Sequence, residues 1–155
     1  MGTRDSIPRQ GDKVAFRDRR CFVCGKANPI GLHLVFDLDR ENDRATSSVT
    51  FGVDHQGWDG VVHGGLLASV LDDVMAYAIM TTDNLAITTR MTTTYRQPVK
   101  VGETLYLEGI VEKLGSRIAK TKAVGYTLVT NGNKQEKIIK VEAEGAYFLD
   151  HPAGG

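Results

Sequence analysis

Neither sign of charge prevails in this chain of 155 residues: Lys+Arg and Asp+Glu are both 19, for a formal net charge of +0. A nucleic-acid partner demands a basic surface to neutralise phosphates, so the balance argues against one. A local basic cluster can still hold a single phosphorylated small molecule. Long hydrophobic runs are also missing. No apolar stretch approaches the ~20 residues that span a bilayer, and no membrane partner is expected. The charged opening MGTRDSIPRQGDKVAFRDRR lacks the apolar segment of a secretory leader. Cysteine is scarce, with only Cys21 and Cys24, spaced CxxC. A closed zinc site takes four ligands, and no second CxxC or HxxxH pair follows, so no metal is expected. No strand precedes the pair, which argues against a thioredoxin-like redox motif. Reduced thiols and no leader make the cytoplasm the expected location. Repeats and low-complexity tracts are absent, and the length fits one domain.

What is present is a core-forming chain, 41% hydrophobic, with 25% charged residues to keep it soluble. Residues 1–20 are polar and without pattern and read as an N-terminal arm; 151–155 read as a tail. Asn28-Pro29-Ile30-Gly31 is turn chemistry. A strand is expected over Leu32–Leu38, where Leu32, Leu34 and Phe36 alternate with polar or outward positions. A polar turn at 40–43 leads to a second strand at 45–51. A glycine-punctuated loop, residues 54–60, precedes one long helix from about His63 to Met80. Four strands follow, over 85–96, 104–113, 117–130 and 137–149, with Asn131-Gly132 as the strongest hairpin signal. On the last of these, Ile139, Val141, Ala143, Gly145 and Tyr147 share a face. No helix separates the four strands, so the sheet must be antiparallel and the class α+β.

The helix draws attention to itself. Leu67, Val70, Leu71, Val74 and Ala78 form one apolar stripe, yet Ala68, Met75, Ala76 and Ile79 fill one flank and Leu66, Tyr77 and Met80 the other. A helix apolar nearly all round is buried on most faces. Asp72 and Asp73 interrupt it, and a buried carboxylate costs several kcal/mol unless partnered. The wheel places Asp72 on the small apolar flank and Asp73 with Leu66, Ser69 and Tyr77, without choosing between them. At the helix start, Gly64-Gly65 offers backbone N–H groups that lack intrahelical acceptors and sit at the positive end of the dipole. Such a terminus can stabilise an oxyanion, or it can simply permit tight packing.

These residues resemble those of a known family. Cys21-Phe-Val-Cys-Gly-Lys-Ala-Asn-Pro-Ile-Gly-Leu32 is similar to the opening of hotdog-fold acyl-CoA thioesterases of the phenylacetate-pathway (PaaI-like) group. Gln56-Gly-Trp-Asp-Gly-Val-Val-His-Gly-Gly65, with Asp72 nine residues after His63, resembles their helix start. Thr94-Tyr-Arg-Gln-Pro-Val99 with Val101-Gly-Glu103 resembles the strand and turn that follow. The resemblance covers residues 20–149. It implies a hotdog fold over 21–150, an antiparallel sheet wrapped around one central helix, in a homodimer or dimer of dimers with active sites between subunits.

For this chain the resemblance implies Asp72 as general base or nucleophile and Gly64 as the N–H that polarises the thioester carbonyl. His63 is the motif histidine at the helix start, and Thr88 matches a hydroxyl that helps hold the water. Gly57 stands where several relatives carry asparagine, and Gln56 is expected to supply the amide instead. Coenzyme A enters as part of the substrate, with no separate cofactor. Gly65 is expected beside the substrate, and Arg96 and Arg117 near the CoA phosphates, with Lys120 a further basic candidate. Three other readings stay open: a non-catalytic acyl-CoA-binding module, a hotdog hydratase or dehydratase using Asp72 with His63, and a zinc-binding interaction domain built on Cys21 and Cys24.

Overall fold

In the computed structural model, residues 20–150 are described, together with a two-residue strand, Lys13–Val14 (β1). The rest of the N-terminal arm and the tail expected over 151–155 lie outside the described residues. After β1 come Phe36–Asp39 (β2), Arg44–Thr50 (β3), the helix Gly64–Met80 (α1), Leu85–Tyr95 (β4), Thr104–Leu114 (β5), Ile118–Asn131 (β6) and Lys134–Asp150 (β7). All pairings are antiparallel, in one sheet ordered β1-β2-β3-β5-β6-β7-β4. The sheet wraps α1, which packs against β2 through β7. This is the hotdog architecture.

The near-continuous apolarity of α1 has the expected consequence. Leu67, Val70, Leu71, Val74, Met75, Tyr77, Ala78, Ile79 and Met80 are all buried, and each large side chain so removed from water contributes about 1.5–3 kcal/mol. Tyr77 stacks on Phe36 of β2 with ring centroids 4.0 Å apart. The sheet admits the helix closely because glycine lies beneath it: a Cβ on Gly109 of β5 would meet the Val74 carbonyl oxygen at 2.6 Å.

Three local expectations change. The strand expected from Leu32 begins only at Phe36, because His33 has a positive φ of 55° and the Leu32 and Leu34 N–H groups bond Phe22 and Val23 carbonyls instead, each at 2.8 Å. Residues 20–34 thus form a knuckle closed on itself. Asn28 pins it by accepting from the Ile30 N–H at 3.0 Å and donating to the Arg20 carbonyl at 3.1 Å. In the β6–β7 hairpin, positive φ falls on Gly132 (65°) and not on Asn131 or Asn133. Glycine therefore occupies the first of two central turn residues, while Asn131 closes β6. Third, β4 carries a bulge between Thr88 and Arg90 in its pairing with β7.

Candidate active site

Asp72 sits mid-helix, half-buried, beneath the inner face of β4 and β7. Its Oδ1 accepts two hydrogen bonds, from Thr88 Oγ1 at 2.7 Å and from the Tyr147 hydroxyl at 2.8 Å. Tyr147 also reaches the Asp72 carbonyl at 3.1 Å. Burial, the charge of Asp72 and the bond to it all hold the Tyr147 hydroxyl well above the ordinary phenol range, so Tyr147 serves as a donor and not as a base. One carboxylate oxygen is thereby fixed by two hydroxyls, while no hydrogen bond to Oδ2 is present among the described residues.

Its neighbour faces elsewhere. Asp73 turns toward the knuckle, with Cys24 as its hydrogen-bonding partner. Burial pushes its carboxyl up to about 6, with the Cys24 thiol acting against that rise and the charge of Asp72 adding to it. The helical wheel could not choose between these acids; the structure gives each a separate environment.

The helix start is built by His63. Its extended backbone (φ −60°, ψ 130°) makes it the N-cap, and its Nδ1 accepts from the Gly65 N–H at 2.9 Å. The Leu66 and Leu67 N–H groups bond the His63 carbonyl at 3.0 and 3.3 Å. Among the first-turn donors this leaves the Gly64 N–H with no acceptor among the described residues. Gly65, expected beside the substrate, has its N–H bonded to the His63 cap. The ring of Tyr95 covers Gly64: its hydroxyl donates to the Gly64 carbonyl at 2.8 Å, and a Cβ at 64 would meet the ring at 3.3 Å.

The loop before the helix is tied to it through the His63 N–H, which donates to the His55 carbonyl at 2.9 Å. Gln56 Oε1 accepts from the Gly60 N–H at 2.9 Å, so the amide oxygen holds the loop. Gly57 lies against His63, where a Cβ would come within 3.3 Å of its Cα. The basic residues do not gather within one chain. Arg96 is held by Glu142 through Nε and Nη2, both at 2.9 Å, on the outer face of the sheet. Arg117 lies beside Leu149, whose N–H its carbonyl receives at 2.8 Å. That is the end of β7 that pairs with the first residues of β4, whereas Arg96 follows the last residue of β4. The two arginines thus stand at opposite ends of the β4–β7 pair. Lys120 is exposed on β6.

Tyr147 and Tyr95 are the site residues that sequence reasoning missed. Tyr147 read as one more inward position on an alternating strand, and Tyr95 entered only as part of a motif. For Tyr147 the available signal is a tyrosine at a fully buried position, where its hydroxyl needs a partner; Tyr95 is half exposed and carries no such signal.

Residues 59–129 match the family model described as the thioesterase superfamily. Human acyl-coenzyme A thioesterase 13 is 33% identical over 70 residues, which is 44% of this chain and 50% of the relative. The mouse protein of that name is 34% identical over 62 residues, 39% of this chain and 44% of its own. The chain thus spans about half the length of the curated relatives it matches. Among solved structures, a thioesterase superfamily protein superimposes with a TM-score of 0.72 at 26% identity, covering 85% of this chain and 61% of that one. The E. coli PaaI protein from the phenylacetic acid degradation operon gives 0.66 at 21% identity, over 81% of this chain and 86% of its own. A Streptococcus mutans protein bound to acetyl CoA gives 0.62 at 18% identity, over 72% and 84%.

Proposed function

We propose, on the premise that residues 59–129 belong to the thioesterase superfamily, that this protein hydrolyses acyl-CoA thioesters to the free acid and CoA. The observation that carries the reading is the Asp72 carboxylate, with Oδ1 fixed by Thr88 and Tyr147 and Oδ2 left for a reactant. The thioester carbonyl binds at the Gly64 N–H, where the helix dipole favours negative charge. Asp72 takes a proton from a water whose oxygen attacks the carbonyl carbon, or attacks directly to form an anhydride that water then opens. The carbon–sulfur bond breaks, the CoA thiolate leaves and is reprotonated. His63 is the structural cap that presents the N–H groups.

Gly64 and Asp72 of one chain are eight residues apart on α1, about 12 Å along the axis. A carbonyl at one helix start is therefore out of reach of the same chain's Asp72. The site closes when a second copy supplies the carboxylate, so we assign the active form to a homodimer. Two surface features support that assignment: β4, an end strand of the sheet, pairs only with β7 among the described residues, and Trp58 on the helix-leading loop is 86% exposed. Unpaired strand edges and exposed large aromatics are what association covers. In this reading the domain is 21–150, with an arm before and a tail after. No described helix is long and apolar enough to cross a membrane, and we assign the reaction to the cytoplasm.

The test is Asp72→Asn on short, long and aromatic acyl-CoAs, followed by release of free thiol. Loss of general-base catalysis costs about 100- to 10,000-fold in kcat. A folded variant that hydrolyses at the wild-type rate removes Asp72 from the chemistry. Asp73→Asn loses far less, and an equal loss in both would undo the choice between them. Consumption of an enoyl-CoA chromophore without thiol release would favour the hydratase reading.

A further inference from the structure

The CxxC pair, set aside on sequence as half a site, gains a third member in the fold. The knuckle turns back at Cys21, whose carbonyl accepts from the Gly25 N–H at 2.9 Å, and lays Cys24 into the core against α1. There Cys21, Cys24 and Asp73 bring one ligand atom each to within 4.8 Å of one another. Cys24 is 3% exposed, Cys21 is half-buried, and both are free thiols. Asp73 Oδ2 is fully buried with no hydrogen-bond partner. A buried, unpaired carboxylate oxygen is costly, and the hydroxyl pair that satisfies Asp72 points away from it.

We infer that Cys21, Cys24 and Asp73 form a binding site for a thiophilic divalent cation, with zinc the best fit. Two sulfurs and a carboxylate are a zinc-type donor set, and the ion takes tetrahedral coordination with Zn–S near 2.3 Å. The corresponding ligand-to-ligand separation of roughly 3.8 Å requires the three atoms to draw in by no more than about an ångström. Binding displaces the two thiol protons, and that of Asp73 where it carries one, into solvent. The fourth position is left to water on the side of the partly exposed Cys21. The ion would supply the partner that Asp73 Oδ2 lacks and clamp the knuckle to α1 one residue from Asp72. The site is independent of whether the chain hydrolyses thioesters.

The experiment uses the full chain, reduced and freed of metal, titrated with Zn2+ and, as a spectroscopic probe, Co2+. Wild type should bind one ion per chain, with cobalt giving a thiolate charge-transfer band and the visible bands of tetrahedral coordination. Cys21→Ser, at the half-exposed position, is the variant least disruptive to folding, and Asp73→Asn tests the carboxylate. Losing a ligand costs at least what losing a ligand's own support does, so affinity should fall by about 100-fold or more in each. Wild type binding no stoichiometric zinc with both thiols reduced overturns the inference. So does Asp73→Asn with wild-type affinity and an unchanged cobalt spectrum, which would reduce the site to a cysteine pair. Two thiols found joined as a disulfide in freshly purified protein would also overturn it.

Discussion

Gly64→Pro tests the carbonyl-binding end of the site without dismantling it. Proline at the first helical position is compatible with a helix, because its missing N–H has no intrahelical acceptor there. The preceding residue must be extended, and His63 already is, at φ −60° and ψ 130°. The His63 cap uses the Gly65 N–H, which the substitution leaves in place. What disappears is the one first-turn donor with no acceptor among the described residues. Removing such an oxyanion donor costs about 100- to 1,000-fold in kcat, roughly 3–4 kcal/mol. The ring carbons also press on Tyr95, which stands 3.3 Å from a Cβ at this position, so a modest rise in KM is expected besides. The assay is thiol release at saturating acyl-CoA, with helix content checked by circular dichroism. Mixing then tests the shared site. In a heterodimer of Gly64→Pro and Asp72→Asn subunits, one site carries both lesions and the other neither. Co-refolded mixtures should recover up to about a quarter of wild-type activity, since half the dimers are mixed and half their sites are intact. A folded Gly64→Pro protein with kcat within twofold of wild type refutes the donor role. Two dead variants that fail to complement, though heterodimers form, refute the division of the site between subunits.

Tyr147→Phe keeps the buried ring and deletes one of two donors to Asp72 Oδ1. A hydrogen bond to a charged group contributes about 1.5–3 kcal/mol, so urea denaturation should show a loss of that order, and kcat should fall roughly tenfold or more with KM little changed; stability lost with kcat unaltered would make Tyr147 a packing residue only. Gly109→Ala puts a methyl 2.6 Å from the Val74 carbonyl oxygen. Both atoms belong to backbone that cannot swing aside, so thermal and urea unfolding should show destabilisation at the upper end of the overpacking range, about 3 kcal/mol, and a neutral result would mean α1 lies farther from β5. Chelation of zinc-loaded protein should lower the Tm of wild type and leave that of Cys21→Ser unmoved; equal shifts in both would exclude Cys21 from the ion.

Much of the architecture was legible because its signals are local. The helix declared itself by apolarity on every flank, and the strands by β-branched runs between turn residues; their bounds moved by a residue or two, apart from β2 and the start of β7. Position β2 was misjudged because Leu32 and Leu34 do alternate with polar residues, yet their amides pair inside the knuckle, a choice made by Phe22 and Val23. The choice of Asp72 over Asp73 as the candidate rested on the family resemblance, through its spacing from His63. Nothing along the chain says that Asp72 meets Tyr147, 75 residues away, or that Asp73 meets Cys24. Those meetings depend on register, which is decided by the whole sheet.

The bulge in β4 shows most plainly why the site could not be read from alternation. Thr88 faces inward, to Asp72, and Tyr95 faces inward, to Gly64. They are seven residues apart, and in an unbroken strand an odd separation puts two side chains on opposite faces. The register shift between Thr88 and Arg90 inserts one residue against β7, so that inward positions run Ala86 and Thr88 before it and Met91, Thr93 and Tyr95 after it. Their partners Leu149, Tyr147, Gly145, Ala143 and Val141 are all buried. Bulges of this kind re-aim side chains beside functional sites. Here a single extra residue lets one strand meet α1 at two points: it holds the Asp72 carboxylate at mid-helix and lays an aromatic ring over the helix start. Without it, Thr88 and Tyr95 would fall on opposite faces of the sheet, and either Asp72 or the Gly64 carbonyl would lose its hydrogen bond from β4.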